Sequence, residues 1–174
     1  MTIALTGTPG VGKTTVSKVL VRRGYDIVDL NNFIKEKGLI GDKDPERDAF
    51  EVDIECLKDI YHSENLDPDM VEGHLAHHLS LSPTVVLRCS PSELEERMKN
   101  KGWNEPKIKE NLEAEMLDTI LIEALEFCED VFEIDTTGKE PEHVASAIEN
   151  IIDGEVERYE PGSVDWSEEL FLRQ

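Results

Sequence analysis

An α/β fold, with a parallel sheet of five strands and helices on both faces, is predicted by three observations. Five short β-branched or apolar runs alternate with stretches of helical periodicity along the 174 residues. A glycine-rich loop, Gly7-Thr8-Pro9-Gly10-Val11-Gly12-Lys13-Thr14, follows the first run and opens a helix. The fourth run, Thr84 to Cys89, is nearly continuous in apolar residues, the texture of a strand covered on both faces. Strands and helices in that order imply right-handed crossovers, with ligands at the carboxyl ends of the strands.

The elements follow in sequence. Thr2 to Thr6 is the first strand, and Thr14 to Arg23 a helix with Val16, Val19 and Leu20 on one face. Tyr25 to Leu30 reads as a second strand, and Asn31 to Lys37 as a helix that Gly38 ends. From Gly41 to Glu51 the residues are mostly charged, Pro45 interrupts them and no period emerges, so a loop or mobile insertion is expected. Phe50, Val52, Ile54, Leu57 and Ile60 suggest a helix running to Tyr61. Asp67 to His74 reads as a turn feeding a short third strand. After the fourth strand, Ser90-Pro91-Ser92-Glu93 offers an N-cap, a first-turn Pro and an acidic first turn, opening a helix to about Lys99. One long helix is expected from Lys107 to Cys128, with Ile108, Leu112, Met116, Thr119, Ile120, Ile122 and Leu125 near one face. Val131 to Asp135 is the fifth strand, and Pro141 to Ile152 a closing helix. One domain is expected over 1–153, with an acidic tail, 154–174, that packs as an appendage or stays mobile.

Composition sets outer limits. Net charge is −21, which disfavours tight nucleic-acid binding and suits either a solvated surface or an acidic face that docks a basic partner. No apolar run approaches the length of a membrane span, and a first strand at Thr2 leaves no room for a signal peptide, so an intracellular, cytoplasmic protein is expected, or a nuclear one in a eukaryote. Cys56, Cys89 and Cys128 are too far apart for a C-x-x-C pair and odd in number, and read as thiols in a reducing compartment.

The glycine loop carries the chemistry. Its spacing fits G-x-x-x-x-G-K-[ST], whose backbone N–H groups cradle a nucleoside triphosphate at a helix N-terminus worth about half a positive charge. Lys13 is placed to reach the β- and γ-phosphates and the Thr14 hydroxyl to ligate Mg²⁺. Neither an Asn-Lys-x-Asp guanine reader nor an ABC-type signature occurs. Two charged interruptions, Gly41 to Glu51 and Asn100 to Glu110, suit the monophosphate cover and the lid of a small kinase.

Leu5 to Thr15, Val71-Glu72-Gly73-His74, and Lys101-Gly102-Trp103-Asn104-Glu105 with Lys107-Ile108 and Glu110-Asn111 resemble, in order and spacing, the nuclear, coilin-interacting type of adenylate kinase and its archaeal relatives. The likeness spans Thr2 to about Ile152. It implies the P-loop NTPase fold of a small nucleoside-monophosphate kinase and ATP as phosphoryl donor. AMP is then the foremost acceptor, and ATPase activity and a part in small-ribosomal-subunit maturation, through a basic ribosomal protein, are implied too. Phosphate contacts fall to Gly10, Gly12, Lys13, Thr14 and Thr15 and an adenine-side contact to Lys139, with a monophosphate segment near 29–52 and a lid near 99–109. Glu72, where eukaryotic members carry Asp, is the Mg²⁺-side acid, and His74 orients the attacking group. Lys101 stands where those relatives place Arg, a point charge in place of a bidentate fork, so slower transfer to AMP is expected.

Among cations, Arg47, Arg88, Arg97 and Lys101 are candidate clamps, with Arg88 first because it ends the fourth strand on the ligand side. Arg97 has an alternative as a surface partner of Glu93 four residues earlier. His74, His77 and His78 share a helical spacing, but with no Cys or fourth ligand nearby a zinc cluster is not expected. Trp103 is either a lid anchor or an exposed packing residue. A kinase acting on another small metabolite remains a weaker alternative.

Overall fold

The computed structural model describes residues 1–44 and 49–172. Strands β1 (Ile3–Gly7), β2 (Ile27–Asp29), β5 (Met70–Glu72), β6 (Thr84–Arg88) and β7 (Val131–Asp135) form one parallel sheet in the order β2-β5-β1-β6-β7. These are the five expected strands. A further pair, β3 (Ile40–Asp44) and β4 (Ala49–Val52), forms an antiparallel two-stranded ribbon.

Alternation along the strands divides the core. Ile3, Leu5, Met70, Val85 and Leu87 face one layer, packing against α1 (Lys13–Arg22), α4 (Pro91–Asn100), α5 (Glu105–Met116) and α7 (Pro141–Ile152). Ala4 and Val71 face the other, against α2 (Leu30–Glu36), α3 (Ile54–Ser63) and a 3-10 turn, Ala76–Leu79. Val86 packs with Leu121 and Ala124 of α6 (Thr119–Phe127). Ile3, Ala4 and Leu5 are buried to 2 % exposure or less, which explains why the central strand has no polar face to show.

Three expectations change. The charged stretch from Gly41 is strand on both sides of 45–48, because Ile40 pairs with Val52 and Lys43 with Phe50. Phe50 and Val52 therefore belong to β4, and the helix that follows starts only at Ile54, where the Asp53 side chain accepts from Cys56 N. The long helix from Lys107 is two, because Asp118 adopts φ 54°, a left-handed conformation that ends one helix and starts another. The break swings the second half out of phase, leaving Ile122 and Leu125 exposed, while Ile108 and Leu112 stay buried.

The tail packs. Val156 and Tyr159 lie against the main core, Glu133 N donates to Tyr159 O at 2.7 Å, and α8 (Ser167–Leu172) lies beside α5. No helix among the described residues is long and apolar enough to cross a membrane.

Candidate active site

The loop after β1 is shaped by three glycines with positive φ: Gly7 (135°), Gly10 (103°) and Gly12 (115°). At Gly7 any side chain is excluded twice over, since a Cβ would sit 2.3 Å from Leu87 O. Gly12 is the N-cap of α1, so the helix opens directly onto the loop. Lys13, buried at 7 % exposure, folds its Nζ back onto the loop, donating to Gly7 O at 2.6 Å and Thr8 O at 3.1 Å. Burial pulls its ammonium pKa down to about 8, against the opposing pull of Glu72 and Glu115.

Around Lys13 a cavity of about 200 Å³ brings together Thr14, Glu72, His74, Asn31, Lys101 and Trp103, with Gly10, Gly12 and Thr15 also at its wall. Thr14 Oγ1 donates to Glu72 Oε1 at 3.2 Å. Glu72 ends β5 beside β1 and is 4 % exposed; burial raises its carboxyl pKa, opposed by Lys13. A hydroxyl and a buried carboxylate side by side at a phosphate loop are a hard-oxygen donor pair that fits Mg²⁺. Burial holds the His74 imidazole down to about 4, helped by Lys13, so it is neutral at neutral pH. Lys101 caps the end of α4, and four residues later α5 begins, so the link between them is short. Trp103 in that link packs on the core, with Lys107 Nζ 4.7 Å and Lys101 Nζ 5.8 Å from its ring centroid. Trp103 is thus a packed, half-buried residue and not an exposed one.

A second cleft of about 440 Å³ continues from the loop between α4 and the β7–α7 link, lined by Thr15, Arg97, Asn100, Thr136, Lys139 and Val144. Arg97 makes the pair with Glu93 that was its alternative, and also reaches the loop. It pairs with Glu93 at 2.5 Å, and its other nitrogen donates to Val11 O at 2.7 Å, which places the guanidinium over the loop. Lys139 lines this cleft, its Nζ donating to Asp135 O at 2.7 Å. Arg47 lies outside the described residues.

Arg88 is a correction. It ends the predicted strand, but its guanidinium is 2 % exposed and held by three carboxylates: Nε on Glu115 at 2.8 Å, Nη1 on Glu133 at 2.6 Å and Nη2 on Asp118. Burial opposes its charge, and the neighbouring Glu115 and Asp118 more than offset that, raising its pKa. Four of its five N–H donors are taken, and at 2 % exposure the guanidinium is not open to a phosphate. Its influence on the loop is indirect, because Glu115 also accepts from the Thr8 hydroxyl at 2.5 Å. Glu115 and Glu133 escaped the sequence reading because nothing local marks a Glu in an acidic chain as buried.

The histidines also depart from expectation. His74 lines the phosphate cavity, whereas His77 and His78 turn away toward Glu123 of α6, with which their ligand atoms cluster within 4.8 Å. Asn31 went unremarked, although a polar residue just past the carboxyl end of a strand is where ligand contacts belong.

A family model described as an AAA domain matches residues 3–118. A chain named "Putative adenylate kinase" from Archaeoglobus fulgidus is 46% identical over 173 residues, covering 98% of this chain and 94% of its own. Chains of the same name from Methanosarcina barkeri and Thermococcus kodakarensis are 46% and 45% identical, covering 95% and 97% of this chain and 97% and 94% of their own. In fold the chain is similar to shikimate kinase from Bacteroides thetaiotaomicron, with TM-score 0.54 at 19% identity over 88% of this chain and 98% of that one.

Proposed function

Because the chain belongs to the archaeal-type adenylate kinase family and is a nucleotide kinase on a P-loop fold, we propose that it transfers the γ-phosphoryl group of ATP to a nucleoside monophosphate, AMP foremost, with Mg²⁺. The observation that supports this most is the gathering of Lys13, Thr14, Glu72, His74 and Lys101 in one cavity at the carboxyl ends of β1 and β5.

Transfer makes a bond from an acceptor phosphate oxygen to the γ-phosphorus and breaks the bond to the β–γ bridging oxygen. Charge then builds on the β-phosphate, where the protein contributes position and fixed positive potential. Lys13 and the open N-terminus of α1 supply that potential, Lys13 exchanging its loop carbonyls for phosphate oxygens. Thr14 and Glu72 are the residues that would hold Mg²⁺, which neutralises β- and γ-oxygen charge when bound. His74, uncharged, orients the attacking group by hydrogen bonding. Lys101 and Trp103 cover the pocket and limit entry of water. The cleft with Arg97 and Lys139 takes the nucleoside end of ATP.

The test is direct: purified protein with Mg·ATP and AMP makes ADP, and Lys13→Ala abolishes it. ATP consumption without ADP formation from AMP would leave hydrolysis alone. Hydrolysis is the same chemistry with water in the acceptor position, and ATPase activity is part of the proposal. The net charge of −21 favours a second reading, a nucleotide-gated assembly factor in small-ribosomal-subunit maturation that docks a basic ribosomal protein. Capture of that protein at low salt and its loss at high salt tests it; absence at both counts against it.

A further inference from the structure

On the sheet face that Ala4 and Val71 share, the 3-10 turn and α6 converge on three side chains. His77 Nε2 lies 3.0 Å from Glu123 Oε2, and His78 Nε2 lies 3.9 Å from the same oxygen. The imidazole centroids are 4.1 Å apart, and the three ligand atoms fall within 4.8 Å of one another. Tetrahedral zinc with nitrogen and oxygen ligands at about 2.0–2.2 Å needs donor atoms about 3.3 Å apart, a value the first two distances bracket. His77 is fixed at 1 % exposure, with Cys128 Sγ donating to its carbonyl at 3.2 Å, while His78 and Glu123 reach solvent at 15 % and 39 %. One rigid inner ligand and two outer ones that reach solvent leave an ion a path in from the surface.

The hydrogen bonds behind His77 suit an ion as well. Glu123 can only accept, so Nε2 carries the ring proton and the Thr6 hydroxyl donates to Nδ1 at 3.0 Å. With an ion on Nε2, the ring proton sits on Nδ1 instead, exchanged through solvent with no net change. Nδ1–H then donates to Thr6 Oγ1, and the Thr6 hydrogen has a second acceptor at hand, His74 O at 3.3 Å. The outer shell that a metal-bound histidine requires is therefore already built. Burial first, then neighbouring positive groups, hold His77 down to about 3, and burial also lowers His78, so protons do not compete for either ring at neutral pH.

We propose that His77, His78 and Glu123 form a binding site for a zinc-class divalent ion, separate from the Thr14–Glu72 pair, that ties α6 and the 3-10 turn through Thr6 to the strand leading into the phosphate loop. Two imidazoles and one carboxylate select borderline ions such as Zn²⁺ or Co²⁺ over Mg²⁺.

The test uses the full chain, stripped with chelator, kept in excess Mg²⁺ to saturate the hard-cation position, and titrated with Zn²⁺ against a chelating dye. One equivalent should bind. His78→Gln and Glu123→Gln, both at solvent-reaching positions, should each weaken it by about ten-fold or more, and Glu72→Gln should leave it unchanged. Nitrogen-15 NMR should show the His77 ring passing from the Nε2–H to the Nδ1–H tautomer as Zn²⁺ is added. No saturable uptake, uptake lost in Glu72→Gln, full uptake in the His78→Gln/Glu123→Gln double variant, or an unchanged His77 tautomer with Zn²⁺ bound would each overturn the assignment.

Discussion

Lys13 is the side chain on which nucleotide chemistry depends, and its burial gives a measurable signature. With its pKa near 8 in the free protein, about half the molecules lack the ammonium proton at that pH; bound phosphates restore it. Binding of Mg·ATP at pH 8 should therefore take up about half a proton, and near pH 6.5 essentially none, as read by calorimetry in buffers of different ionisation enthalpy. Lys13→Ala, which should leave no detectable transfer, removes a contact worth at least about 10²-fold in turnover. His74 and His77, held near 4 and 3, make an opposite kind of statement. Their native pKa values lie below the unfolded value of about 6.5, so the stability tied to their neutral forms is complete above 6.5 and drains as pH falls toward 4. Denaturant unfolding should weaken by up to about 1.4 kcal/mol per pH unit for each histidine in that window. A flat profile between 6.5 and 4 would remove both burials.

Glycines set the shape of the loop, and the clearest is Gly7, which joins β1 to the phosphate cradle. Gly7→Ala forces both a positive φ and a Cβ against Leu87 O, so it should destabilise the chain by at least about 2 kcal/mol in thermal or denaturant melts. The loop and its helix were legible in advance because strand, glycine spacing and helix are contiguous. The ribbon β3–β4 was not, since its first strand, Ile40–Asp44, is mostly charged and the short alternation of Phe50 and Val52 runs on into Ile54, Leu57 and Ile60 of the helix behind it. The break at Asp118 escaped for a different reason: periodicity of Leu and Ile continues across it, and only the pull of Arg88 on Asp118 identifies the position as special.

Across the molecule, the buried Arg88 joins sheet, α5 and tail into one polar assembly. Glu133 Oε2 accepts from Gly162 N at 3.0 Å, Ser163 N at 3.1 Å and Val164 N at 3.3 Å, and Trp166 Nε1 donates to Glu115 at 3.3 Å. Removing residues 160–174 would strip those donors from Glu133 and open the Arg88 assembly to solvent, and should lower stability by about 1–3 kcal/mol, visible as a reduced Tm. Since Glu115 also holds Thr8 of the phosphate loop, the truncated chain should bind Mg·ATP more weakly as well. An unchanged Tm would show the tail to be an appendage after all.

The five strands of the main sheet, the phosphate loop and the helix it opens could be read directly from the chain, because each rests on neighbours a few positions apart, where backbone geometry and periodicity act. Which acidic residues are buried, that Arg88 faces Glu115 and Glu133 and not a phosphate, and that Glu123 meets His77 and His78 all depend on segments 26 to 46 positions apart meeting in space. Such meetings are set by how layers pack on the sheet, and no local pattern of residue types encodes them.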